Sequence, residues 1–117
     1  MQGRAACSRN IGRHQLNAER DRMFIVLLRF SRNKAQASHF MEAHKQWIKR
    51  GFDDGVFLLA GTLQPNLGGG ILAHNASRPD LQSRVDADPF VAEDVVTAEI
   101  IEITPSRADE RLKSLVG

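Results

Sequence analysis

The chain has a single cysteine, Cys7, in 117 residues. No disulfide can form within it, and it cannot assemble a cysteine-rich zinc site on its own. Such cysteine usage fits a reduced, cytoplasmic setting. No apolar run approaches the ~18 residues of a membrane span, so no transmembrane helix is expected. Residues 1–22 lack the apolar stretch of a secretory signal, and no serine nucleophile-elbow pattern occurs. Net charge is small as well, at +2, and it is unevenly placed. Arg4, Arg9, Arg13, Arg20 and Arg22 face only Glu19 and Asp21 in the first 22 residues, a net +3 that leaves −1 for the remainder. A slightly acidic body is not built to follow a phosphate backbone, so neither nucleic acid nor membrane is expected as a partner.

What is present suits one domain with a real core: 42% apolar and 26% charged residues, the balance of an ordinary globular protein. Three parts are expected. Residues 1–22 read as a flexible, arginine-dotted extension, residues 23–105 as the domain, and residues 106–117 as a charged tail.

The domain opens with a strand at Met23–Phe30, whose near-continuous apolar character suits a central position in a sheet. Asn33, with Gln36 three residues on, reads as a cap for a helix running to about Arg50. Arg50-Gly51-Phe52-Asp53-Asp54-Gly55 reads as a helix stop and turn, followed by a strand at Val56–Leu63. Gln64 to Gly68 supplies turn chemistry and Gly69–Ala73 begins the returning strand, so residues 56–74 form a hairpin. Ser77 caps a second helix with Pro79 in its first turn and Asp80 at the capping-box position. Pro89 ends that helix, and Val95–Thr104 is the last strand. The order β-α-β-β-α-β is the α+β, ferredoxin-like arrangement: a four-stranded antiparallel sheet with both helices on one face. The other face is left apolar and bare, which calls for a second copy packed sheet to sheet.

The residue that stands out is His44. Ala37, Phe40, Met41, Trp47 and Ile48 recur at helical spacing, and His44 falls on their stripe rather than on the wet side. An inward imidazole is either a satisfied core residue or a working acid–base group. Asp88, freed from helix geometry by Pro89, is a carboxylate that can reach it, fix its tautomer and support its protonated form; the bland alternative is that Asp88 caps local backbone N–H groups. A metal site is not expected. His39 and His44 are five apart, which sets them roughly 140° apart around a helix. Gly68-Gly69-Gly70 leads into a strand rather than a helix, so it reads as turn flexibility and close backbone approach, not as a phosphate cradle. Arg29 could hold an anion at a pocket mouth, and His74, near the end of the third strand, could line the same pocket.

The run from His44 through Leu59-Ala60-Gly61, followed by Asp88-Pro89-Phe90, resembles the YCII-related family of small dimeric α+β barrel proteins, over Met23 to about Thr104. The resemblance implies a homodimer with a helix histidine paired to the aspartate of Asp-Pro-Phe, here His44 and Asp88, acting on a small organic molecule without a cofactor. Similar proteins act on ring compounds, as in dehydrochlorination of chlorinated hydroxyquinols, and related barrels include lactone isomerases and cofactor-free oxygenases. One departure matters. Family members often carry an arginine three residues before the histidine, and here that place is Met41; Arg29 is then the candidate for the missing charge. The resulting expectation is a lyase, isomerase or dehydrochlorinase-like protein with His44 and Asp88 catalytic. The alternative is a non-catalytic ligand-binding or assembly domain in which the pair is structural.

Overall fold

The structure, a computed structural model, describes residues 22–115. Four strands, β1 (Met23–Phe30), β2 (Phe57–Leu63), β3 (Gly68–His74) and β4 (Val96–Ile103), form one antiparallel sheet in the order β2-β3-β1-β4. Three α-helices lie between them in sequence: α1 (Ala37–Asp53), α2 (Arg78–Asp86) and the four-residue α3 (Pro89–Ala92). This is the ferredoxin-like α+β arrangement expected from the order of elements. The extension expected over residues 1–22 lies outside the described residues apart from Arg22, which pairs with Glu102 at 3.3 Å. Most of the expected tail is described, with a 3-10 segment at Glu110–Leu115.

The period of two along β1 decides the layers. Phe24, Val26 and Leu28 point to the helices and are buried, together with Ile71 and Ala73 of β3, Val96 and Ile100 of β4, and Leu81 and Val85 of α2. Each of these side chains apart from Ala73 contributes roughly 1.5–3 kcal/mol by leaving water. Trp47 of α1 joins this core and satisfies its indole N–H on the carbonyl of Arg84 at 2.9 Å. The opposite sheet face carries Ile25, Leu27, Leu59, Leu72, Ile101 and Ile103; Leu59 is 59% exposed and Ile103 42%. A shallow hollow of about 250 Å³ runs across it past Ile25, Leu27 and Leu72. Among the described residues no helix is long and apolar enough to cross a membrane.

Local details depart from the sequence reading at both ends of α1. A 3-10 turn at Lys34–Gln36 precedes the helix, and the Asn33 side chain does not cap it. Its amide donates instead to the carbonyl of Glu93 at 2.8 Å, tying the start of α1 to the end of α3. At the other end α1 continues past the expected stop to Asp53, with Gly51 buried inside it. A Cβ on Gly51 would overlap the Phe57 ring, so this glycine lets the helix lie directly on β2. Ser77 does cap α2, accepting from the Asp80 backbone N–H at 3.2 Å.

Candidate functional site

Asp88 sits between α2 and α3 with an extended backbone, φ −62° and ψ 126°. Pro89 enforces this by disfavouring the helical region at the residue before it, and it then occupies the first turn of α3, where its missing N–H costs nothing. Asp88 is thus the N-cap of α3, its Oδ1 accepting from the Phe90 backbone N–H at 3.0 Å. The same oxygen lies 2.8 Å from Nδ1 of His44. The carboxylate is fully buried, while the His44 side chain is 12% exposed. Oδ2 is buried with no hydrogen-bond partner among the described residues.

Rings hold the imidazole from the sides. Phe90 stacks on His44 with centroids 4.0 Å apart and planes 4° from parallel, and Trp47 follows at 5.8 Å. Asp88-Pro89-Phe90 therefore supplies the carboxylate and the stacking ring from one turn of chain. With Nδ1 engaged, Nε2 is the nitrogen left over. It bonds no described residue, and it is not a buried orphan.

His44 borders a hollow of about 360 Å³ between α1 and the inner sheet face. Its walls are apolar: Leu28, Phe30, Met41, Ile48, Phe90 and Val96. Its floor is the backbone of Gly68, Gly69 and Gly70 on β3, with Ala60 and Thr62 of β2 alongside. Gly69 pairs with Leu28 across the sheet and faces the helices, so its missing side chain leaves this space open. Gly68, at φ 136°, lies so close to Leu28 that a Cβ would overlap its carbonyl. The polar side chains on the rim are His44, Lys45, Thr62 and Asn66. A largely apolar hollow with a few convergent polar groups is the usual form of a small-molecule site.

Of the four residues singled out from sequence, the structure brings two together. His44 and Asp88 meet. Arg29 and His74 do not line the hollow, and the reason is strand parity. Arg29 shares a face with Ile25 and Leu27, away from the helices, and pairs with Glu99 at 2.8 Å. His74 is opposite Met23 on that same outer face. Lys45 also lines the hollow, although it follows His44 directly and falls off the apolar stripe, so helical periodicity does not mark it. The signal lay in the walls: a residue beside a site histidine can reach the rim of a hollow that the helix covers. Among the described residues no group of three or more His, Cys, Asp or Glu side chains is placed to hold a metal ion, and the Asp86 carboxylate accepts from Gln82 at 2.9 Å.

Behind the site, the β1–α1 connection is pinned to the end of α3. Asp94 accepts from Arg32 at 2.7 Å and from Ser31 at 3.2 Å. The Arg32 hydrogen bond holds its carboxyl below the ordinary value of 3.8.

No protein-family model matches the chain, and no curated protein matches it by sequence. Among solved structures it is similar to 5-chloro-2-hydroxyhydroquinone dehydrochlorinase (TftG) from Burkholderia phenoliruptrix AC1100, in complex with 2,5-dihydroxybenzoquinone. The TM-score is 0.57 at 14% identity, over 74% of this chain and 95% of that one. At that identity the likeness is one of fold.

Proposed function

We propose that this chain is a YCII-related protein that binds a small organic ring or lactone-like molecule in the His44 hollow and moves a proton on it, as a lyase, isomerase or dehydrochlorinase-like enzyme without a cofactor. One observation carries the reading: Asp88 engages Nδ1 of His44, which leaves Nε2 as the nitrogen available beside an apolar hollow of about 360 Å³, enough for a small ring compound. In this reading Nδ1 carries the hydrogen and donates it to Asp88. Nε2 takes a proton from the ligand, the carboxylate stabilises the imidazolium that results, and the proton is returned at another ligand atom or accompanies a departing anion. A fold shared with a dehydrochlorinase is consistent with such chemistry. The protein acts as a cytoplasmic homodimer in which the outer faces of two sheets cover one another, burying Leu59, Leu72 and Ile101.

The test is a thermal-shift screen with phenolic acids, lactones and chlorinated quinols, followed by turnover of whatever stabilises the protein. His44→Gln is expected to keep binding and lose about 10²–10⁴-fold in rate. Undiminished turnover in that variant overturns the proposal.

The second reading, a non-catalytic domain with a structural pair, is favoured by the cap that Asp88 makes on Phe90. It expects His44→Leu to leave ligand affinity in place while lowering stability by about 1–3 kcal/mol, because the fully buried Asp88 carboxylate loses its imidazole partner.

A further inference from the structure

Among the described residues, the ionisable side chains on the rim of the hollow are His44 and Lys45, with no carboxylate beside them. Asp88, whose carboxylate touches the site from behind, is fully buried and directs an oxygen at Nδ1 of His44 and at the Phe90 backbone N–H. Several cations elsewhere on the domain are engaged: Arg29 with Glu99, Arg32 with Asp94, Lys49 with Asp53 and Arg84 with Asp54. The Lys34 ammonium lies over the Phe30 ring at 4.8 Å. Lys45 makes no side-chain hydrogen bond or ion pair among the described residues, and neither do Thr62 and Asn66 across the rim.

From this we infer that Lys45 is a specificity residue that selects ring ligands bearing an anionic oxygen, a carboxylate or a phenolate, at the rim of the hollow. The inference rests on the small-molecule reading of the same hollow and gives it a substrate class. The apolar walls take the ring, the Lys45 ammonium pairs with the anionic oxygen, and Thr62 and Asn66 supply uncharged hydrogen-bonding groups beside it. The charge is thereby one residue beyond His44 instead of at Met41, whose thioether is part of the apolar wall. On a flexible four-carbon stem an ammonium reaches the rim as a point charge and makes no demand for bidentate geometry. The selection therefore concerns charge more than shape.

The experiment uses two probes of the same outline that differ by one charge, 4-hydroxybenzoate and 4-hydroxybenzamide, measured by calorimetry at low salt on the full chain and on Lys45→Met and Lys45→Arg. The full chain is expected to bind the benzoate about tenfold more tightly than the benzamide. Lys45→Met should bring the two affinities together, and Lys45→Arg should keep them apart. If the full chain binds both probes equally, or if Lys45→Met keeps the preference, the role of Lys45 is overturned while the hollow stands as a ligand site. If neither probe binds, the role of Lys45 as a selector of anionic rings is overturned, and the small-molecule reading falls as well if no phenolic acid, lactone or chlorinated quinol stabilises the full chain.

Discussion

Asp88 holds His44 with the same oxygen that starts helix α3: Oδ1 accepts the Phe90 backbone N–H at 3.0 Å and lies 2.8 Å from Nδ1 of the imidazole. The stacking of Phe90 on that imidazole at 4.0 Å completes the arrangement. A cap, a tautomer and a ring orientation depend on one buried carboxylate.

Asp88→Ala and Asp88→Asn therefore separate geometry from charge. Alanine removes the cap, at about 1 kcal/mol, and orphans a nearly buried imidazole N–H, at about 1–3 kcal/mol more. Asparagine can keep its amide oxygen in the place of Oδ1 and preserve both hydrogen bonds, while its amide nitrogen takes the place of an Oδ2 that has no partner among the described residues. Chemical denaturation should show Asn far closer to the parent than Ala is. Turnover should fall in both variants, since neither supports an imidazolium.

The hollow exists because residue 69 is glycine. A Cβ there meets Gly61 O at 3.5 Å, an ordinary contact, and a β-branched residue is well suited to a strand. Gly69→Val is expected to fold with an unchanged or raised melting temperature and to lose ligand-induced stabilisation by filling the floor. A variant that still responds to ligands as the parent does would place the site elsewhere.

Gly51→Ala inverts the usual rule. Alanine in a helix interior normally gains about 1 kcal/mol over glycine. Here the added methyl overlaps the Phe57 ring, which is 2% exposed and packed against Trp47 at 5.1 Å. Overpacking of this kind costs about 1–3 kcal/mol, so denaturant titration should show destabilisation, and Phe57→Leu in the same chain should recover part of it.

Asp94 should contribute to the acid limb of stability. Its carboxyl is held below 3.8 first by the Arg32 hydrogen bond, so the folded state binds this proton less readily than the unfolded chain does. The stabilisation is present above the ordinary carboxylate range and is lost as pH falls through the depressed folded value. In Arg32→Gln, carboxyl carbon resonances should show Asp94 titrating at higher pH than in the parent, and acid unfolding should begin earlier.

Most of the architecture was legible because the strands announce themselves. Phe24, Val26 and Leu28 alternate with Ile25 and Leu27, and Pro and Gly punctuate the connections. The meeting of His44 with Asp88 followed from an imidazole on an apolar stripe and a proline that freed the aspartate. Other features were hidden for physical reasons. Gly51 looks like a helix stop, and only the ring of Phe57 beside it explains a glycine inside a helix. Asn33 looks like a cap, but a tertiary partner, the Glu93 carbonyl, took its amide. Arg29 and His74 have suitable chemistry but lie on the sheet face away from the helices, and Lys45 lies off the apolar stripe, so only the shape of the hollow brings it to the rim.

The central claim concerns one proton, and the tautomer of His44 tests it most directly. Long-range nitrogen–proton correlation on the full chain, at a pH where the ring is neutral, should show a pyrrole-like Nδ1 that bears the hydrogen and a pyridine-like Nε2 free to accept one. A hydrogen resident on Nε2 in the folded protein would contradict the account, because no base would then face the hollow.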